Sequence, residues 1–538
     1  MADFLSPNGV PMKPFGFGNF IGMDTAHDRN AMDTGDKQAL FLTRNCHADR
    51  VGLIMRDPGA IRMPYAMNRY PIEINFYGPD GDTVWAEMTG GDVDLVSDDG
   101  VRQEGAFLAG SSVSSLVYQG LTWFMSPGQE MWGYNGAAYR YSLSATRPQP
   151  GFGCVIGRRM AVAGMPGKPT EIWFSRTDDP DTWPLDEDPN STDALRASFL
   201  DIKNLIGTAD KIVGLATFEV DRLAIFTQTR VLIYAITPDL STDQQGVPSW
   251  LIDDRASINI GSVSHGGIVP INVPQSIGAT LLYVSHAGVY KLERVGYGGA
   301  IIYANPVSNI VSFLIRNLID QTVDVTKIDG YYDAINNQAH FFFPRPDGYK
   351  RATFTVPPDP QSPDRWSVGD FLGMSCGAQM GDYTMLGGAG GIYRMAKPYQ
   401  YATDTIANEY GVELPEMTVE TPLLWHGDLV NKKQSMMFVM QAAGHGEVVV
   451  EAFDELNRAL GGAMIFPLSM TPFSGPFPSS RSSTPDAGMF PDVPIDLQFA
   501  RKFEFDYRGV WFRFTGRGLG LIRISAFAVF VRQPEKKR

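Results

Sequence analysis

The chain has 538 residues, 44% of them hydrophobic and 19% charged, a balance that suits folded domains and excludes a disordered polyelectrolyte. A formal net charge of −14 excludes a broadly basic nucleic-acid-binding surface. The length predicts two or three domains, and 56 glycines, 37 prolines and 12% aromatics favour many short strands joined by turns.

Residues 1–69 are rich in Gly, Pro, Asn and Met and show no sustained period, with one short amphipathic candidate at Asp36–Gly52. From Tyr70 the texture changes to alternation. "IEINFYGPDGDTVWAEM" predicts a hairpin with Ile72, Ile74 and Phe76 on one face, a GPDGD turn, and a return through Val84 and Trp85. "SLVYQGLTWFMSPGQEMWGYNGAAYRYSL" predicts up to four short strands, broken at Gly120, SPGQ and YNGA. The rhythm recurs at Cys154–Ile156, Arg159–Ala163 and Glu171–Ser175, then at Ile212–Ala216, Leu223–Phe226 and Val231–Ile236. It continues through "GATLLYVSHAGVYKLERVG", "GYYDAINNQAHFFFPRPDGYKRATFTV" and "MLGGAGGIYRM". Strands this short and closely spaced predict a β-propeller over residues 70–400, a reading carried by rhythm and not by any exact repeat. One helix is predicted in "NPVSNIVSFLIRNLID", capped by Asn305 with Pro306 in its first turn, and with Val307, Ile310, Val311, Leu314 and Leu318 on one face.

Beyond residue 400 strands are predicted at Met417–Thr421, Gln434–Gln441 and Glu447–Phe453, with three more in "FEFDYRGVWFRFTGRGLGLIRISAFAVFVR". This predicts a C-terminal β-sandwich-like domain over 401–538, with residues 1–69 packing against it. Pro467–Pro494 holds seven prolines and no apolar period, so it is expected to be a long loop that docks on a neighbouring subunit or another protein. The fold class is therefore mainly β with few helices.

No catalytic constellation emerges. The seven histidines form no HxH, HExxH or Hx3–5H pair, and there is no GxSxG elbow or Walker-type loop. The glycines of "GFGCVIG" at Gly151–Gly157 are better explained by a strand than by a phosphate loop. Cys46, Cys154 and Cys376 have no paired spacing and are expected to be reduced structural thiols. No leader peptide or membrane-length apolar run is evident, so cytoplasmic synthesis without stable membrane insertion is expected.

"WFSRTDDPDTW", Trp173–Trp183, is similar to the Asp-box turn of sialidase propellers, S-x-D-x-G-x-T-W. It departs from that pattern at Thr177 and Pro180. An Asx-turn with Trp183 capping the blade is favoured over a calcium site at Asp178, Asp179 and Asp181, or over catalysis. No catalytic residue, cofactor or metal is expected.

Taken together, the motif order resembles the tail nozzle, or tail hub and packaged-DNA stabilisation, proteins of short-tailed bacteriophages. "RNCHADRVGLIMRDPGAIRM" matches the family's N-terminal stretch at Asn45, Arg50, Arg56, Pro58 and Gly59, departing from it by the inserted Asp57. Ile172–Trp183 is similar to its "iywS-x-x-x-D-P-x-x-W" segment, here through Ser175, Asp179, Pro180 and Trp183. Gly214–Tyr234, "GSVSHGGIVPINVPQSIGATLLYVSHAGVYKL", Trp366–Ser367 and "ETPLLWHGDLVNKKQSMMFVMQAAGHGEVVV" continue the likeness over most of the chain.

The resemblance implies a non-enzymatic virion protein of the tail. It implies a homo-oligomeric, sixfold ring below the portal and head-tail adaptor ring, meeting tail fibres or tailspikes. Double-stranded DNA would be retained in the central channel and later ejected through it. A ring of six such chains would carry about six times −14 charges, a wall that repels phosphates. Basic pairs such as Arg158–Arg159 and Lys432–Lys433 would then lie at subunit or partner contacts. Two alternatives remain open: a carbohydrate-binding or glycan-cleaving propeller, and a propeller scaffold for protein interactions.

Overall fold

The computed structural model describes the chain apart from residues 1–11, 19, 26–37, 50–51, 66–70, 78–81, 90–91, 189–192, 194, 220–221, 237–249, 253–257, 273–279, 296–300, 358–363, 396–412, 427–431, 445, 469–496, 519–521 and 533–538. The chain divides into two compact units. One comprises Met63–Ala352 and Leu372–Arg394, the other Met1–Arg62, Thr353–Phe371 and Met395–Arg538.

The first unit is a β-propeller. Its first blade is the antiparallel meander Pro71–Phe76, Thr83–Thr89, Asp92–Ser97 and Arg102–Phe107. The second runs Ser114–Tyr118, Leu121–Met125, Trp132–Tyr134 and Tyr139–Tyr141, and the third Phe152–Ile156, Arg159–Ala163, Glu171–Phe174 and Ser198–Asp201. Ile212–Glu219 opens the fourth blade, Ile268–Ile271 the fifth, Asp329–Asp333 the sixth and Cys376–Met380 the seventh. The opening strands of blades one to four lie side by side in sequence, as do those of blades five, six, seven and one. Between blades four and five, Gly214 abuts Ile268 so closely that a Cβ at 214 would meet its Cδ1 at 2.3 Å. The opening strands thus form a closed inner ring.

Apolar clusters fill the wedges between blades. Trp123, Met160, Trp173 and Trp183 pack between the second and third blades, and Ile172, Leu215 and Ile225 between the third and fourth. Ile74, Phe76 and Trp85 of the first blade meet Cys376, Met385 and Ile392 of the seventh. The Met63 N–H donates to the Ile392 carbonyl at 2.9 Å, so the start of the unit is stitched to its last blade. Tight hairpins follow from residues with positive φ at both turn positions, Gln119 (53°) with Gly120 (70°) and Gly157 (53°) with Arg158 (61°), a geometry that matches strand twist.

Two sheets form the core of the second unit. In one, Leu497–Lys502, Lys433–Gly444, Ile522–Arg532, Ile54–Arg56 and Cys46–Ala48 are neighbours in that order, with Met12–Gly18 also on Ile522–Arg532. The other contains Arg365–Gly369, Leu42–Arg44, Met417–Glu420, Val510–Arg517, Gly446–Asp454 and Met464–Leu468. Phe438, Met440, Val448, Val450, Phe512, Phe514, Phe527 and Val529 point inward from both sheets into one core, the alternation expected of a sandwich.

Four local expectations are corrected. Asp36–Gly52 contains no helix among its described residues; it holds three short strands, Gln38–Leu40, Leu42–Arg44 and Cys46–Ala48, kinked by Asn45 at φ 54°. A 3-10 turn at Asn309–Val311 runs into the α-helix Ser312–Asp320, whose N-cap Val311 offers no side-chain cap. Asn305 and Pro306 instead close the fifth blade's outer strand, Ile301–Pro306, where an edge position tolerates proline. The buried face of the helix is Ile315, Leu318 and Ile319. Ile72 leaves the face of Ile74 and Phe76 because the pairing with Thr83–Thr89 shifts register between Pro71 and Glu73; it packs toward the second blade instead. Finally, Pro467 and Leu468 belong to the edge strand Met464–Leu468, while 469–496 lie outside the described residues.

Candidate functional site

The Asp-box-like turn grows from the third strand of the third blade. Ser175 is buried: its N–H donates to the Met160 carbonyl at 2.9 Å, and its Oγ accepts the Met160 N–H at 3.0 Å. Arg176 N–H donates to the Thr182 carbonyl at 2.9 Å and closes the loop. Within it, Asp179 Oδ1 accepts the Asp181 N–H at 2.8 Å and Oδ2 accepts the Thr182 hydroxyl at 2.6 Å, an Asx-turn around Pro180. The Pro180 carbonyl accepts the Trp183 indole N–H at 3.1 Å. Trp183 is fully buried against the second blade.

The three carboxylates diverge. Asp178, at φ 58°, pairs with the Arg158 guanidinium and accepts Gln119 Nε2 at 3.1 Å. Asp179 serves its own turn. Asp181 takes Arg140 in a bidentate pair at 3.0 and 3.1 Å and accepts the Leu143 N–H at 2.8 Å. Each oxygen set faces a different protein partner, so they do not converge on a cation. Among the described residues no group of three or more His, Cys, Asp or Glu is arranged to hold a metal ion. The turn ties the second and third blades together, through Gln119 and Arg140 on one side and Arg158 and Trp183 on the other.

The other motif residues lie in the sandwich unit. Asn45 is a four-way junction. Its N–H donates to the Val368 carbonyl at 2.8 Å, and its own carbonyl accepts the Asp57 N–H at 3.0 Å. Its side chain bonds the Glu416 carbonyl at 3.2 Å, the Asp370 N–H at 3.1 Å and Asp370 Oδ1 at 3.3 Å. Arg56 is buried and donates to the Gly518 carbonyl at 3.0 Å. The inserted Asp57 accepts from His47 Nδ1 at 2.9 Å in a buried pair. Pro58 is half-buried and Gly59 buried in the loop that follows. Trp366 is buried against Phe354 at 5.1 Å between ring centroids, its carbonyl accepting the Thr43 hydroxyl at 3.3 Å. Ser367 is buried beside it. The structure therefore brings Asn45 to the Trp366–Asp370 segment, and it gathers Ser175, Asp179, Pro180 and Trp183 in one turn.

Of each basic pair one member is exposed, Arg158 and Lys432, and the other buried. Arg159 is buried, with Nη1 donating to the Ser175 and Arg196 carbonyls at 3.2 and 2.5 Å, and burial lowers its pKa. Lys433 is also buried, its Nζ donating to the Arg508 carbonyl at 3.1 Å. Both buried cations satisfy carbonyls of their own unit. No sequence signal marks two other polar residues, Glu73 and Asp329, which open the first and sixth blades.

No family model and no curated protein matches the chain. Among solved structures it is similar to BamB from Moraxella catarrhalis at 11% identity, covering 65% of this chain and 89% of that one, with a TM-score of 0.35. It is similar to virginiamycin B lyase from Staphylococcus aureus at 8% identity, covering 63% and 98% respectively, with a TM-score of 0.38. The Dos1 propeller matches at 10% identity, 61% and 93% coverage and a TM-score of 0.35. At these levels none transfers a function to this chain. What stands for the chain itself is the propeller fold, read from its own strand order.

Proposed function

We propose that this chain is a structural virion protein, the subunit of a nozzle or hub ring that closes the tail of a short-tailed bacteriophage and guides DNA through its channel. The observation that carries the reading is the employment of the motif residues. Asp179, Pro180 and Trp183 join two blades, and Asn45 joins four backbone segments of the sandwich unit; all serve architecture, as the resemblance implies. A net charge of −14 suits a ring whose wall must let phosphates slide. The adaptor ring, portal, fibres or spikes would be its partners, and the virion tail its location.

Negative-stain images of the purified protein, alone and with its adaptor ring, test this. Sixfold rings that cap the adaptor are expected. Monomers that ignore the adaptor and bind a glycan array would overturn it. A second reading, a scaffold for protein interactions, draws on large apolar side chains exposed around the third blade: Leu143 (77%), Leu185 (65%) and Phe199 (59%). It predicts monomers that capture a partner through that blade.

A further inference from the structure

The two outer strands of the second blade, Trp132–Tyr134 and Tyr139–Tyr141, are joined by the turn Asn135–Ala138. Tyr134 pairs with Tyr139 across it, and the Asn135 N–H donates to the Ala138 carbonyl at 3.4 Å. Asn135, Ala137 and Ala138 are exposed. Among the described residues Asn135 is the one asparagine that precedes a glycine, Gly136 at φ 87°. Asn135 Oδ1 accepts the Ala137 N–H at 3.0 Å and the Ala138 N–H at 2.8 Å. Neither Asn135 Nδ2 nor the Gly136 N–H has a hydrogen-bond partner among the described residues.

These groups are arranged for one reaction. Glycine leaves the amide nitrogen at 136 unshielded by a side chain, and no acceptor holds its proton. Attack of that nitrogen on Asn135 Cγ closes a five-membered ring, and negative charge develops on Oδ1. Two backbone donors already stand at the distances of an oxyanion hole, fixed by the turn before any charge appears. Other asparagines lack the combination. Asn45 is buried in its junction and precedes Cys46. Asn337 accepts the Tyr332 hydroxyl at 3.2 Å and precedes Gln338.

We propose that Asn135–Gly136 is a self-modifying site, at which the turn's own oxyanion hole promotes closure to a succinimide and conversion to aspartate and isoaspartate. The Gly136 N–H gives its proton to water and the N–Cγ bond forms. The Cγ–Nδ2 bond then breaks, and ammonia leaves after taking a proton back. Water opens the imide at either carbonyl. Cleavage at Cγ gives aspartate, and cleavage at the main-chain carbonyl gives isoaspartate. Either product adds one negative charge. Isoaspartate also lengthens the main chain by a methylene, which takes Tyr134 out of register with Tyr139. Arg140 on that outer strand holds Asp181 of the third blade, so the change reaches the tie between the two blades.

The test is a peptide map of the full chain, kept in neutral buffer and sampled over weeks, beside Ala137→Pro. That substitution deletes one of the two donors and leaves Asn135 and Gly136 in place. In the folded parent the peptide holding Asn135 should gain aspartate and isoaspartate ahead of those holding Asn45 or Asn337, and at least as fast as in urea. Folded Ala137→Pro should convert about tenfold more slowly, a loss kept below that of a buried oxyanion donor because water reaches this turn. In urea, where no hole exists, parent and variant should convert alike. If Ala137→Pro fails to fold, the comparison of folded and urea-unfolded parent still decides. A folded parent whose Asn135 stays unchanged, or converts only in urea, would overturn the site. Equal rates in folded parent and folded variant would overturn it too, since the hole would then contribute nothing.

Discussion

The Trp183 indole donates to the carbonyl of Pro180, three residues back, at 3.1 Å, while the ring fills the wedge between the second and third blades. One side chain therefore both closes its own turn and glues two blades. Trp183→Ala removes a fully buried aromatic and leaves an orphaned carbonyl, so a loss of about 3–5 kcal/mol is expected. Chemical denaturation of the isolated protein checks it; a loss below about 1 kcal/mol would show that the wedge repacks.

The three aspartates of the same turn should rank by what they hold. Asp181→Ala breaks a bidentate pair with a half-buried arginine and strands the Leu143 N–H, costing about 1–3 kcal/mol. Asp179→Ala dissolves the Asx-turn and should cost about as much. Asp178 pairs with an Arg158 side chain that is 76% exposed, so that substitution should cost at most about 1 kcal/mol. None should alter a reaction rate. Reproducible sugar release from bacterial polysaccharide, abolished by one of these changes, would reverse this order of importance.

How much of this is legible in the sequence depends on where the partners lie. Blade strands are legible because their turns are short and their pairing is local: Ser114–Tyr118 meets Leu121–Met125 across two residues. Asp36–Gly52 is not, because its strands pair with segments far along the chain, Leu42–Arg44 with Thr418–Glu420. Its period is broken by Asn45, so a helix-like stripe survives on paper only. The role of Asp57 is equally hidden. It reads as an interruption of the family motif, yet it faces a buried histidine on the neighbouring strand.

Gly22 gives a backbone test of the sandwich unit. It sits at φ 87°, and a Cβ there would lie 3.2 Å from both the backbone nitrogen and oxygen of Trp366. Both features oppose a side chain, and the obstacle is backbone that cannot rotate away. Gly22→Ala should therefore destabilise by about 1–3 kcal/mol and shift the Trp366 fluorescence environment. A variant as stable as the parent would mean that the Phe20–Met23 strand moves freely off Trp366.

Acid should destabilise this protein through two histidines that burial keeps neutral. His426 is buried beside Phe15, ring centroids 4.7 Å apart, and its Nδ1 meets the Tyr507 hydroxyl at 2.9 Å. Burial, with Lys433 nearby, drives its pKa down to about 3. His265 stacks on Phe152 at 5.0 Å, and burial drives it to about 4. An unfolded histidine takes its proton near 6.5, so between about 6.5 and 4 the unfolded state binds protons that the native state refuses. Stability is lost as pH falls through that window, by roughly 2–3 kcal/mol for each histidine at pH 4.5. His426→Asn tolerates the φ of 50° found there, and His265→Gln keeps a polar group; neither titrates. Urea midpoints at pH 7 and 4.5 should therefore fall less in each variant than in the parent, and least in the double variant. Because desolvation raises Asp329 to about 7 and so acts the other way over the same range, only the difference between parent and variant isolates the histidines. Equal acid losses in parent and double variant would mean that both imidazoles reach water in the folded state.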